Sequence, residues 1–481
     1  MRKSMLPTLL CLGLLCLGGV ALPFSTASGA EGPALDVDLT QEQIASRERP
    51  LIEIRSAGRQ VFSAPFNELD GLGDGPMDPS DPTRPGGRPT LQNNGLFLRF
   101  NGLDSQTCLE CHGILSNARI PATFGVGGVG GIGANAFPGV VDPDLDDSER
   151  NGFAAIGGRM INPPFAFGSG GIELLGKEMT ADLQRSKSHA LARPGKRIRL
   201  ETKGVRFGSI VCDASGECDT SQIEGIAPDL VVRPFGRKGS FITVRAFDVG
   251  AMQFHHGIQP TETVGEGVDA DGDGVADELT VGEMSALSIF LTTLERPEQR
   301  GDGPSGKLSR EARRGKRVFK KIGCADCHVP SLRTRNRNLP LSFPEIPEDP
   351  GFNVYYEVDL TAHPTSFQRA GRGLRVPLYA DLKLHEMGSE LAESTGDPLD
   401  AWFTTARLWG IADTAPYMHD GRATTLSGAI LMHGGEAQDS RDAFEALSRA
   451  RQDALIAFLR TLRTPRKVGE DLDVYDLFNR R

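Results

Sequence analysis

Two stretches far apart in the chain repeat one pattern of apolar and polar positions. "ALSIFLTTLERP" (286–297) and "ALIAFLRTLRTP" (454–465) share Ala-Leu-x-x-Phe-Leu-x-Thr-Leu-x-x-Pro. Apolar residues at helical spacing followed by proline predict a helix in each, stopped at its end. A further amphipathic stretch, "GKRVFKKIG", sets Gly315 and Phe319 one helical turn apart and predicts another helix. At the N-terminus, Arg2 and Lys3 precede an apolar run from Leu9 to Leu22 and then small residues. That is the layout of a secretory signal, residues 1–30, with cleavage near Ala30. The run is short for a membrane span, and no later stretch is apolar for long enough to cross a bilayer.

Composition adds loops and a charge sign. Aromatic residues make up 6% of the 481 residues while glycines number 58, so the spaces between the predicted helices read as long loops. A net charge of −10 argues against nucleic acid and suits a basic redox partner, such as a small redox protein. With the signal removed, six cysteines remain: Cys108, Cys111, Cys212, Cys218, Cys324 and Cys327. In an exported, periplasmic-type setting, Cys212 and Cys218 close a short polar loop as a disulfide.

The other four stand in "CLECH" (108–112) and "CADCH" (324–328). Three chemistries compete for them: two disulfides, a four-thiolate zinc site, or two covalent haem attachments. Neither disulfides nor zinc calls for the histidine that follows both pairs, whereas a c-type haem uses it as an axial ligand. The expectation is two covalently bound haems c, with His112 and His328 on the iron. Each attachment segment lies upstream of one copy of the repeated helix, which gives two units, the first with the larger insertions. The expected fold is mainly α with long loops: an N-terminal extension (31–94), a cytochrome c-like haem domain (95–297), a polar linker (298–314) and a second such domain (315–481). The glycine and phenylalanine of "GKRVF" resemble the N-terminal helix of class I cytochromes c, where a glycine lets the closing helix cross closely.

A six-coordinate iron needs a second axial ligand. Downstream of His328, "LKLHEMG" offers Met387, and "APYMHDGRATTLSGAILMHGGEA" offers Met418, His419 and His433. By spacing alone Met387 is eligible. Taken with "GKRVFKKIGCADCHVPSL", these segments resemble the di-haem oxidoreductases, a family that also carries the label thiol oxidoreductase. Its relatives are the bacterial dihaem cytochrome c peroxidases and the dihaem enzyme that matures methylamine dehydrogenase. The resemblance is good from about 310 to 463 and patchier from 90 to 300. It implies that the distal ligand of the second haem lies fourteen residues after the histidine of the Pro-Tyr-x-His-Asp-Gly segment, which here is His433, with Met387 the competitor. It also implies that the first haem reacts with peroxide, aided by a glutamate whose match in "INPPFAFGSGGIELLGKEM" is Glu173. A carboxyl in a partly apolar pocket can shuttle a proton between two peroxide oxygens. The family's Asp-Gly-Arg-Gly run after the first attachment site is absent. "FHHGIQP" offers His255 and His256 as caps for the first haem. Both tryptophans, Trp402 and Trp409, fall in the second unit, so a bridge supplied by the first half cannot take the same form.

"DADGDGVAD" (269–277) sets Asp269, Asp271, Asp273 and Asp277 at positions 1, 3, 5 and 9 of a Ca²⁺ loop with Gly274 at the turn, and Glu283 or water is expected to complete it. The literal Gly-x-Gly-x-x-Gly of "GVGGVG" (125–130) follows no strand and does not read as a dinucleotide site. Two functions of different class stand: a peroxidase-type dihaem oxidoreductase, and an electron-transfer cytochrome with both irons six-coordinate. No cysteine is left in a reactive setting to support thiol chemistry.

Overall fold

In the computed structural model the described residues are 32–72, 98–99, 102–103, 107–112, 132–134, 158–160, 162–393 and 397–465. The expected signal (1–30), the glycine run 125–130 and the tail from 466 lie outside them. In chain order the helices are α1 (Gln41–Ala45), α2 (Leu51–Ser63), α3 (Cys108–Cys111), α4 (Ser169–Leu191), α5 (Val244–Ala251) and α6 (Thr261–Val264). They continue with α7 (Val281–Thr292), α8 (Arg310–Lys321), α9 (Cys324–Cys327), α10 (Leu426–Leu431), α11 (Gln438–Glu445) and α12 (Arg449–Leu459). A π-turn, Met252–His256, extends α5. None of these helices is long and apolar enough to cross a membrane.

The repeated stripe forms α7 and α12, and each is crossed by a partner helix through a glycine. At Gly315 of α8 a Cβ would overlap the Ala454 carbonyl and lie 2.9 Å from the Cβ of Phe458. At Gly58 of α2 a Cβ would overlap the Ala286 carbonyl and lie 2.7 Å from the Cβ of Phe290. Ala286 and Phe290 occupy the same places in their repeat as Ala454 and Phe458 in theirs. The partner helices match as well: "GRQVF" (58–62) parallels "GKRVF" (315–319). Phe62 packs on Phe290 at 5.7 Å between ring centroids, and Phe319 on Phe458 at 5.5 Å. Thus α2, which lies in the segment expected as an N-terminal extension, packs on α7 as α8 packs on α12.

Short strands occupy much of what composition reads as loop. Ile198–Thr202, Val205–Cys212 and Cys218–Asp219 form one antiparallel sheet, and Leu332–Arg333, Gly373–Val376 and Gln368–Ala370 another. Asn338–Ser342 pairs with Val354–Asp359, and Leu384–Glu386 with Trp402–Thr404. The fold is therefore helices with several small sheets. Val205, Phe207, Ile210 and Cys212 are buried while Arg206 is exposed, the two-residue alternation of a half-buried strand. Just beyond the repeated helices, Glu298–Gln299 pairs antiparallel with Leu462–Arg463, tying the ends of the two copies together.

Two apolar clusters form the core. The larger gathers buried residues from Leu39 to Leu294 together with Leu332 to Leu382 and Trp409. The smaller unites α8, α10 and α12 through Phe319, Leu426 and Phe458, with Tyr379 and Phe444.

Candidate functional site

Each Cys-x-x-Cys-His segment is a single helical turn held beneath one of the glycine crossings. In the first, Thr107 caps α3 by accepting from the Leu109 N–H at 3.3 Å, and its hydroxyl donates to the Phe62 carbonyl at 3.2 Å. The His112 N–H closes the turn on the Cys108 carbonyl at 2.8 Å. The side chain of Cys111 lies outside the described ones. In the second, the His328 N–H closes the turn on the Cys324 carbonyl at 3.0 Å. The aromatic one turn beyond each crossing glycine faces the adjacent histidine: Phe62–His112 centroids are 6.3 Å apart and Phe319–His328 6.5 Å, both at 44°.

Both histidines are partly exposed, yet desolvation of the ring dominates and holds each imidazole down to about 4. The Pro164 carbonyl works against this at His112. At His328 the neighbouring His433 lowers it further, while the Tyr379 and Ala406 carbonyls and Asp381 oppose. Nδ1 of His328 lies 3.1 Å from the Tyr379 carbonyl, which can only accept, so Nδ1 carries the proton and Nε2 keeps its lone pair. Such a carbonyl contact orients a metal-binding imidazole.

His433 has the same arrangement. Its Nδ1–H donates to the Ala429 carbonyl at 2.8 Å, leaving Nε2 free to bind, and burial lowers its pKa against that carbonyl. Its ring centroid is 6.3 Å from that of His328. Two imidazoles sharing a metal ion, each with its nitrogen about 2 Å away, place their centroids about 6 Å apart. His328 and His433 could therefore hold one metal ion between them. The Met387 backbone passes beside it, since a Cβ at Gly434 would meet the Met387 carbonyl at 2.9 Å. His419 stacks on Phe403 at 4.5 Å, and the Met418 carbonyl accepts from Asn162 Nδ2 at 2.9 Å.

A histidine also approaches one attachment cysteine in each segment. His256, buried in the π-turn, has Nε2 3.7 Å from Cys108 Sγ and its ring 5.5 Å from that of Phe66. His385 lies 4.0 Å from Cys327 Sγ and is gripped by Asp381 at 2.9 Å and Glu436 at 2.7 Å. Desolvation opposes its charge, but these bonds prevail and push it up to about 11, a standing imidazolium.

Glu173 is buried on α4. Its Oε2 accepts from the Val244 N–H at 2.9 Å, and Lys177 Nζ lies 3.4 Å from Oε1. Burial raises its pKa, with Lys177 and the Val244 N–H opposing; burial first, and the nearby Glu173 second, raise Asp248 well above the usual carboxylate range. Lys177 also donates to Glu345 at 2.8 Å and to the Pro340 carbonyl at 2.9 Å. Asp269, Asp271 and Asp273 converge, their carboxylate oxygens within 4.8 Å of one another. Asp277 instead accepts from the Gly267 N–H at 2.7 Å, and Glu283 from the Thr280 N–H at 2.8 Å as an α7 cap. Cys212 and Cys218 are joined as expected. Trp409 is buried against Gly168.

Sequence reading passed over Gly58 and Phe62, although "GRQVF" against "GKRVF" was available as a signal. The carbonyls of Pro164 and Tyr379 left no signal, because any residue supplies one.

Residues 249–462 match the family model described as "Di-haem oxidoreductase, putative peroxidase". A cytochrome-c peroxidase, IdrP2, of Pseudomonas sp. (strain SCT) is 29% identical over 194 residues, 39% of this chain and 50% of that protein. Another, IdrP1, of Denitromonas iodatirespirans is 30% identical over 170 residues, 33% of this chain and 42% of that protein. The aligned part thus spans about half the length of these curated relatives. A solved structure of a diheme peroxidase variant from Burkholderia thailandensis E264 aligns with 71% of this chain and 97% of its own at 14% identity, with a TM-score of 0.29. Over residues 249–462, this chain is thus similar to the di-haem oxidoreductase family.

Proposed function

We propose that the chain is an exported di-haem c-type oxidoreductase of the peroxidase kind, its first haem reacting with peroxide and its second relaying electrons. The observation that carries this reading is the doubled arrangement of glycine crossing, facing phenylalanine and Cys-x-x-Cys-His turn, with a second imidazole, His433, beside His328. Cys108, Cys111, Cys324 and Cys327 would hold two haems as thioethers, with His112 and His328 as proximal ligands. When bound, haem supplies the redox chemistry by which peroxide is reduced. The units are two cytochrome c-like domains, 95–297 and 315–481, joined by 298–314, with α2 of the 31–94 segment serving the first as α8 serves the second.

His433 would close the far side of the second site, its Nδ1–H held by Ala429 and its Nε2 presented to the metal. Glu173, its pKa raised by burial, would hold a proton and pass it to a departing oxygen. The signal-like N-terminus and the Cys212–Cys218 disulfide support export to an oxidising compartment. The acidic chain suits a basic small redox protein as electron partner.

Resting protein mixed with one equivalent of hydrogen peroxide tests this, followed by absorbance and electron paramagnetic resonance. A rapid change confined to one of two haem populations is expected. Two low-spin haems inert to both peroxide and cyanide would leave an electron-carrying cytochrome in its place.

A further inference from the structure

Lys177 stands between two carboxylates, and its donors are not all spent. It is buried on α4, one turn beyond Glu173. Of its three N–H donors, one goes to Glu345 Oε2 at 2.8 Å and another to the Pro340 carbonyl at 2.9 Å. The third is left beside Glu173, whose Oε1 lies 3.4 Å from Nζ. That oxygen is buried and takes no hydrogen bond, while the other oxygen of the same carboxyl is occupied by the Val244 N–H. A donor with a spare N–H beside an unfilled acceptor has only to turn in order to reach it.

On its other side Lys177 reaches outward. Together with Glu345, Ile242 and Pro347 it lines a cavity, and Glu345 is partly exposed on the loop that carries the exposed Glu348 and Asp349. Burial pushes the Glu345 carboxyl up to about 7, with Lys177 opposing and Glu173 adding to the rise, so it exchanges protons with solvent near neutrality. Glu173 is only 1% exposed, and Lys177 joins its free oxygen to the cavity.

We propose that Glu345 and Lys177 form the route by which a proton passes from this cavity to Glu173. The proposal rests on the reading of Glu173 as the proton donor of the first site. When Glu173 has given its proton up, its carboxylate takes one from Lys177 Nζ. The amine so formed takes one from the Glu345 carboxyl, and Glu345 is refilled from solvent. Each bond to hydrogen that breaks is matched by one that forms, Lys177 and Glu345 regain their starting charges, and no electrons move.

Infrared difference spectroscopy of the haem-loaded protein tests this. The protonated-carboxyl C=O band that disappears in Glu173→Gln marks Glu173, and its shift on mixing into D₂O times proton exchange at that group. Glu345→Gln can still accept from Lys177 but has no carboxyl proton to give, and Lys177→Arg keeps the positive charge on a group that does not deprotonate. Each should slow the exchange about tenfold or more and raise the solvent isotope effect on steady-state peroxide turnover. A lysine that only offsets buried charge would leave the exchange of Glu345→Gln unslowed. A band that shifts as fast as in the wild type in either variant, or no band lost in Glu173→Gln, would overturn the route. Slowed exchange in a protein that leaves peroxide untouched would instead uphold the route and sink the peroxidase reading.

Discussion

His433 and Glu173 differ in how their polar atoms are engaged, and the difference sorts their expected roles. One nitrogen of His433 is fixed by a backbone carbonyl and its ring stands 6.3 Å from His328, so its replacement should act on the second haem alone. His433→Ala is expected to change the low-spin resonance of that haem and shift its potential. A retained low-spin spectrum would pass the role to Met387. Glu173 is tied to the Val244 N–H and to Lys177, and its raised pKa lets it carry a proton. Glu173→Gln keeps its size and one acceptor, so both haem spectra should stay nearly intact while the peroxide reaction slows about a hundredfold, on the order of 3 kcal/mol. Stopped-flow traces at the wild-type rate would remove Glu173 from the chemistry. Glu173 was legible in the sequence through its motif, which also contains Lys177, one turn on in the same helix, but Val244, from whose N–H it accepts, comes from another element and leaves no signal in that stretch.

Among elements, the decisive pairs are α2 with α7 and α8 with α12. Each crossing closes over a glycine whose Cβ would overlap a backbone carbonyl, and a carbonyl cannot swing aside as a side chain can. Gly58→Ala and Gly315→Ala should each force the helices apart, costing about 1–3 kcal/mol as overpacking does. Each change should also disturb one site: Phe62 lies against His112 and Phe319 against His328. Thermal melts with haem spectra check this, and two variants that melt like wild type would show that the crossings tolerate a methyl group. The second pair was readable because Gly315 and Phe319 stand just before their cysteines. The first was obscured by distance, with "GRQVF" separated from "CLECH" by a long polar and glycine-rich insertion. The small sheets were obscured for a related reason: their strands are two to eight residues long, too short for alternation to stand out from surrounding loops.

On the scale of the whole molecule, the two copies are fastened together at several points. The strands after α7 and α12 pair, Asn162 donates to the carbonyls of Pro416 and Met418, and Trp409 packs on Gly168. The larger apolar cluster draws in Leu332 to Leu382 from beyond the second attachment segment. The two sites are thus parts of one fabric. If both haems are covalent, denatured protein should keep all its haem absorbance through acid–acetone extraction. Colour passing into the organic phase would refute thioether attachment at one or both segments.

By itself the sequence determined what is written locally: two Cys-x-x-Cys-His turns, two proline-stopped apolar helices, a cysteine pair six residues apart and a loop of alternating aspartates. Such features need only short-range spacing, which the chain states outright. Tertiary structure alone decided which groups meet: α2 against α7 and His433 facing His328, with Asp277 held by the Gly267 N–H and Glu283 by Thr280. These contacts join residues brought together by packing and by the need to satisfy buried polar atoms, and neither requirement leaves a pattern within any one stretch of chain.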